Sequence, residues 1–189
     1  MRARYWERVQ TRVQLAPGQR LVDKNPLNLL RLPVIKRLFP NAHVFLAIRH
    51  PGDVLLSCFM QHFRAPEFAL LSQSLPSLAG GFRKAFDFWY EQQALLLAKV
   101  HELHYEKFVT NFNAEVRAAI SFLELPWNDA VLAPGARAVE KGYISTPSYS
   151  QVVQPVSTRA VGRWHNYRQH FAEALPVLQP LLDRWHYDG

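Results

Sequence analysis

The stretch that most constrains this chain is Ala42-His-Val-Phe-Leu-Ala-Ile-Arg49-His50-Pro51-Gly52-Asp53-Val-Leu-Leu-Ser57. A nearly unbroken apolar run from Ala42 to Ile48 is the pattern of a parallel strand covered on both faces. The run stops at Arg49 and a Pro-Gly-Asp turn follows. Apolar residues then recur at helical spacing from Asp53 to about Phe63. Strand, tight turn and helix N-terminus in succession offer backbone N–H groups and the positive end of a dipole to an anion. Arg49 adds a planar fork of donors that suits a phosphate. Ser57, one helical turn after Asp53, brings a hydroxyl toward the same place. A phosphate site with Arg49 and Ser57 as side-chain ligands fits these residues. A surface arginine followed by a helix-capping turn fits them as well.

The remaining segments set that stretch in an alternating pattern. Arg2 to Leu15 reads as a short amphipathic helix ended by Ala16-Pro17-Gly18, and Arg20 to Asp23 as a short strand. Pro26 is placed to open a helix carrying apolar residues from Leu27 to Leu38, with Pro33 early enough to kink it. Arg64 to Pro76 reads as a loop with a helical turn. Ser77 to Val100 reads as a long helix whose Phe82, Phe86, Trp89 and Tyr90 form a core-packing stripe. Glu102 to Tyr105 is a short strand and Ala114 to Leu123 a helix. Asn128 to Tyr143 is helix then loop, and Ile144 to Thr158 an extended Ser/Gln/Pro/Thr-rich loop. Val161 to Tyr167 is a short helix, and Glu173 to Trp185 closes the chain.

Strands alternating with helices predict an α/β fold with a mainly parallel sheet, in which ligands bind beyond the carboxyl ends of the strands. Lys24, Arg49 and Tyr105 each follow one of the three strands. With those strands side by side, two cations and a phenol meet at one sheet edge, a constellation suited to a phosphorylated ligand.

Bulk properties narrow the classes. A length of 189 residues suits one domain, and 49% hydrophobic residues suffice for a core. No run approaches the ~20 apolar residues of a membrane-spanning helix. The charged N-terminus, Met1-Arg-Ala-Arg-Tyr-Trp-Glu-Arg8, is not a signal peptide, so cytoplasmic residence is expected. The single cysteine, Cys58, reads as a small core residue on an apolar helix. A net charge of +7 fits nucleic acid, an anionic membrane surface or a small polyanion. The basic residues are spread along the chain, which favours a small anion over a polymer. The eight histidines show no metal-ligand spacing. His50 is open to a ligand-facing or a structural role. Asp53 reads as a first-turn acid that suits the helix dipole, Glu106 as a structural hydrogen-bond acceptor, and Trp127 as a packing residue, while Trp164, beside Arg163, is open to packing or to stacking on a ligand.

Several of these segments are recognisable together. Asp23-Lys24-Asn25-Pro26, Leu38-Phe39-Pro40-Asn41-Ala42 and Arg49-His50-Pro51-Gly52-Asp53 with Ser57 resemble the sulfotransferases that use 3′-phosphoadenosine 5′-phosphosulfate (PAPS). Tyr105-Glu106, Leu123-Glu-Leu-Pro-Trp127, Ser148-Tyr-Ser-Gln-Val-Val-Gln-Pro-Val-Ser157 and Gly162-Arg163-Trp164 agree in order. The set is most similar to the branch of tyrosylprotein sulfotransferases and bacterial sulfotransferases with upstream tetratricopeptide repeats, from about Leu21 to the C-terminus. The resemblance implies a P-loop-NTPase-like fold, a three-layer arrangement of parallel sheet flanked by helices. It implies a sulfuryl transfer from PAPS to a hydroxyl, on a peptide tyrosine or a small molecule, leaving adenosine 3′,5′-bisphosphate.

Roles follow from the same likeness. Arg49 and Ser57 match the grip on the 3′-phosphate, Arg163 a further basic residue on it, and Tyr105 a nucleotide contact. Ser148, Gln151, Gln154, Pro155 and Ser157 match the loop that closes over the nucleotide. Lys24 and Ser148 match the catalytic pair, the lysine at the bridging oxygen and leaving phosphate, the serine at the sulfuryl group. Negative charge builds on the departing oxygen of such an in-line transfer, and fixed cations and hydroxyls lower that barrier without a metal.

Two departures accompany the likeness. Family members begin with a strand, a Pro-x-Ser-Gly-Thr-type loop that cradles the 5′-phosphosulfate, and a helix, with a glutamate base shortly after. Here Pro17-Gly18-Gln19-Arg20 lacks the hydroxyl residues. The chain is therefore expected to be an N-terminally truncated sulfotransferase domain, with residues 1–18 a helix and turn and 19–189 the core. Loss of that loop is expected to cost on the order of several powers of ten in rate and to leave a sheet edge open to self-association. Gln61 stands where the tyrosylprotein enzymes place another phosphate-binding arginine. The alternative expectation is a non-catalytic nucleotide-binding or interaction remnant of the same fold.

Overall fold

The computed structural model describes residues 1–61, 63–96, 99–133 and 156–189. These form two compact units, Met1–Ala42 with Lys84–Lys99, and His43–Arg83 with Val100–Gly189. The long helix α5 (Leu75–Leu96) contributes residues 75–83 to the second unit and 84–96 to the first.

The second unit holds the sheet. Strands β1 (Val44–Ile48) and β2 (Val100–His104) pair in parallel, Val44 opposite Val100 and Ile48 opposite His104. Among the described residues they make up a two-stranded sheet. Parallel neighbours need a long crossover, and the helices α3 (Pro51–Phe59), α4 (Pro66–Leu71) and α5 lie within it. After β2 come α6 (Tyr105–Thr110) and α7 (Phe112–Phe122). Short 3₁₀ segments follow at Asp129–Leu132, Thr158–Ala160 and Arg163–Phe171, and α8 (Leu175–Trp185) is the last helix.

Spacing explains the core. In α8, Leu178, Leu181, Leu182 and Trp185 recur at helical period and are all buried. Leu178 and Leu182 join Leu55 and Leu56 of α3, Leu75, Leu78 and Ala79 of α5, and Trp164, Phe171 and Ala174 in one buried cluster. Each such large apolar side chain taken from water stabilises by about 1.5–3 kcal/mol before entropy is charged. Cys58 sits half-buried against this cluster, and burial pushes its thiol pKa up, as suits a packing residue rather than a nucleophile.

β1 departs from the sequence expectation in one respect. Leu46 and Ile48 are buried but Phe45 and Ala47 are exposed, so the strand is covered fully on one face only. On the other face the Phe45 ring makes T-shaped contacts with His101 and Phe122.

In the first unit, α1 (Arg2–Gln10) sets Tyr5 and Trp6 edge-on to Phe39, at 5.0 and 6.1 Å between ring centroids. Asn25 caps a 3₁₀ segment, Pro26–Leu30, by accepting the Leu27 N–H at 2.9 Å. The kink expected at Pro33 is a full break: α2 (Leu32–Leu38) starts anew, with Pro33 in its first turn. Along α5, Phe86 and Trp89 are buried as the stripe predicts. Residues 20–23 form no strand. Val22 is 84% exposed, and the Asp23 carboxylate is held by the Tyr5 hydroxyl at 2.9 Å and the Asn28 amide at 3.4 Å. A strand needs a ladder partner, and side-chain bonds of this kind compete with one. Among the described residues, no helix is long and apolar enough to cross a membrane.

Candidate functional site

β1 and β2 are in register, so the residues that leave them, Arg49 and Tyr105, emerge side by side at the carboxyl end of the sheet. The Arg49 guanidinium lies over the Tyr105 ring, 4.7 Å from its centroid, a cation–π contact. One guanidinium nitrogen, Nη2, stands 3.6 Å from Asp53 Oδ2 and also donates to the Ala160 carbonyl. The Nε of Arg49 is buried and has no hydrogen-bond partner among the described residues.

Asp53 sits in the first turn of α3 with its carboxylate sealed from solvent. It accepts the Gly162 N–H at 2.7 Å and the Trp164 N–H at 2.9 Å. The segment carrying Arg163 is thus tied to the turn after β1 by residues 109 and 111 positions away. Gly162 allows the docking because its φ of +71° is the left-handed conformation that glycine adopts freely.

His50 takes the structural role of the two open to it. It is the N-cap of α3, its Nδ1 accepting the Gly52 N–H at 3.1 Å while Nε2 pairs with the Asp188 carbonyl at 2.9 Å. This assignment makes the ring neutral, with its proton on Nε2. Its ring stacks on Trp164, 4.9 Å between centroids and 14° apart. Trp164 is wholly buried, and an added Cβ on Gly52 would stand 2.6 Å from its Cγ. The first turn of α3 is therefore roofed by an indole, which the sequence reading of an open helix N-terminus did not contain.

Glu106, in the first turn of α6, joins the same end of the sheet to the C-terminal residues. Its Oε1 accepts the His50 N–H at 2.9 Å and its Oε2 accepts the Tyr187 hydroxyl. Burial first, and the Glu106 bond and charge second, hold the Tyr187 phenol well above the ordinary tyrosine range, against a lowering by Arg49. The turn after α8 aims Tyr187 there. His186 adopts φ +58°, its N–H bonding Asp183 O at 3.3 Å and that of Tyr187 bonding Leu182 O at 2.9 Å.

Ser57 is exposed on α3, and Ser157 and Arg163 are exposed on the segment before and within the later 3₁₀ turns. Lys24 is exposed in the extended segment of the first unit. Ser148, Gln151, Gln154 and Pro155 lie outside the described residues. Among the described residues, no group of three or more His, Cys, Asp or Glu could hold a metal ion. Sequence reasoning missed Asp53 as a tie and Trp164 as a roof. The available signal was Gly52 between a proline and an acid in a first turn, where the absence of a Cβ invites close approach.

The sequence profile of the sulfotransferase family matches residues 1–129. Protein-tyrosine sulfotransferase 1 of Danio rerio is 27% identical over 177 residues, 91% of this chain and 49% of that protein. Protein-tyrosine sulfotransferase of Drosophila melanogaster is 26% identical over 159 residues, 78% of this chain and 30% of that protein. An uncharacterized protein of Aquifex aeolicus is 28% identical over 164 residues, 85% of this chain and 21% of that protein. The chain thus spans between a fifth and a half of the length of these relatives.

Proposed function

Since the chain belongs to the sulfotransferase family, we propose that it serves the transfer of a sulfuryl group from PAPS to a hydroxyl acceptor, on a protein tyrosine or a small molecule. The observation that carries this reading is the juxtaposition of Arg49 and Tyr105 at the carboxyl end of two register-paired parallel strands, where α/β folds bind their ligands. The unpaired Nε of Arg49 supports it. A buried donor without a partner costs about 1–3 kcal/mol, and a phosphate that draws the fork outward supplies the missing acceptor. The small parallel sheet with its helices fits the family's P-loop-like class, and the three-layer arrangement is part of this proposal.

In this reading Arg49, Ser57 and Arg163 hold the 3′-phosphate and Tyr105 lies against the nucleotide. Ser148, Gln151, Gln154, Pro155 and Ser157 close over it. When bound, PAPS supplies the sulfuryl group and departs as adenosine 3′,5′-bisphosphate. Lys24 and Ser148 stabilise the charge that develops on the leaving oxygen. The 189 residues include no Pro-x-Ser-Gly-Thr-type cradle for the 5′ end. A polypeptide of this sequence alone is therefore expected to bind the 3′ half of the nucleotide and to transfer slowly.

One observation favours a second reading, a non-catalytic module of the same fold. Arg49 is engaged by Asp53 and Ala160, and Trp164 roofs the helix start, which is what a purely structural arginine would show. Such a module would work by association. β1 and β2 have only each other as strand neighbours among the described residues, and an unpaired edge accepts another strand.

Calorimetric titration with adenosine 3′,5′-bisphosphate separates the two, run beside an Arg49→Ala variant whose folding is checked by circular dichroism. The first reading expects saturable binding that the variant weakens by about ten- to a hundredfold, the worth of a charge-assisted contact. A folded chain that binds nothing leaves the second reading.

A further inference from the structure

We propose that Asp53 is a positioning residue for nucleotide recognition. It fixes Arg49 and the Gly162–Trp164 segment in one geometry, so that Arg49 and Arg163 present to the same phosphate. The inference rests on the reading of Arg49 as a 3′-phosphate ligand.

Four observations carry it. The Asp53 side chain is wholly buried although the chain has ample surface for a carboxylate. Its two oxygens are used on different partners: Oδ1 takes the Trp164 N–H, while Oδ2 takes the Gly162 N–H and faces Arg49. The residue lying between those two amides is Arg163, exposed beside a buried neighbour, so its backbone is clamped on both sides while its side chain stays free to reach outward. Finally, the Ala160 carbonyl accepts from the same Arg49 nitrogen that faces Asp53, which closes a loop from Arg49 to Asp53, to Gly162, back through residues 161–160 to Arg49.

A carboxylate can hold two amides and a guanidinium together because it accepts on both oxygens and carries the opposite charge. An amide in its place accepts on one oxygen only and must point an NH₂ at a donor. Misplacement of a binding group by a fraction of an ångström to an ångström is enough to forfeit much of its effect. A helix first-turn acid that merely suited the dipole would sit at the surface and make neither long-range bond.

The test compares two probes, adenosine 3′,5′-bisphosphate and adenosine 5′-monophosphate, on the 189-residue chain and on Asp53→Asn, which keeps the shape and removes the charge. Bisphosphate affinity is expected to fall about tenfold or more while monophosphate affinity holds, and the Asp53→Asn effect is expected to shrink, leaving the share that acts through Arg163, in an Arg49→Ala background. A purely structural role would weaken both probes alike, or lower the unfolding midpoint with bisphosphate affinity unchanged; either result overturns the inference. Should Asp53→Asn fail to fold, the unsubstituted chain still decides. The Gly162 and Trp164 amide resonances are expected to move with bisphosphate and not with monophosphate, and stationary resonances overturn the inference. Absence of any bisphosphate binding by the unsubstituted chain sinks the family-site reading together with this one. Binding that is indifferent to Asp53→Asn sinks this one alone.

Discussion

Gly52 is where the site has least room. A methyl group there would stand 2.6 Å from Trp164 Cγ and 2.7 Å from Cδ2, within a rigid ring that is itself wholly buried. Gly52→Ala is therefore expected to destabilise by about 1–3 kcal/mol, the usual cost of overpacking, read as a lowered urea midpoint at unchanged slope. A midpoint within error of the parent would show that Trp164 does not press on this turn. Two phenols give a second test. Burial and the Asp23 bond raise Tyr5 to about 12, and burial with Glu106 raises Tyr187 further. A raised folded-state value stabilises fully below the unfolded value of 10.0 and is lost as pH climbs through the folded one. Unfolding free energy is expected to drop with rising pH above 10, and Tyr187→Phe to flatten that drop while being less stable at neutral pH. An unchanged slope in the variant would remove Tyr187 from the account. Arg49 and Tyr105 were legible because strand ends are local features of sequence. Asp53 was not, since a first-turn acid reads the same whether solvent or two distant amides receive it, and those amides lie over a hundred positions away.

Elements repeat the contrast between local and distant causes. β1, β2 and α3 stand where apolar runs and the Pro-Gly-Asp turn put them, within a few residues at each end. The strand expected at residues 20–23 is missing because a strand is a property of its neighbours, and here Asp23 is bonded to Tyr5 and Asn28 instead. Without that strand, the strand-end argument that grouped Lys24 with Arg49 and Tyr105 lapses, and its assignment stands on the family likeness alone. α8 holds an element-scale prediction. Pro180 lies inside this helix, exposed, and leaves one carbonyl of the preceding turn without its N–H. The buried face made by Leu178, Leu181, Leu182 and Trp185 keeps the helix formed despite that cost. Pro180→Ala is expected to stabilise by about 1–3 kcal/mol, seen as a raised thermal midpoint. A lowered midpoint would mean that proline restricts the unfolded chain more than it strains the helix.

The whole molecule is a basic one, with a net charge of +7, and that charge makes two kinds of anion binding easy to confuse. A diffuse basic surface holds any polyanion, weakens steeply with salt and ignores the shape of a competitor. A nucleotide site at Arg49 and Tyr105, as proposed above, would hold a small dianion by geometry and be less screened, because the Arg49 charge is partly buried. The two are distinguishable on one column. The chain is expected to bind immobilised heparin at low salt, as its charge dictates. If the polymer is held partly through the strand-end site, adenosine 3′,5′-bisphosphate at constant ionic strength should elute it at concentrations where adenosine 5′-monophosphate does not. Arg49→Ala lowers the charge by only one, so it should leave the salt of elution nearly unchanged while raising the bisphosphate needed for elution by about ten- to a hundredfold. Elution that tracks ionic strength alone, in both proteins, would assign the retention to the surface as a whole and would remove the support that the charge lends to a nucleotide site.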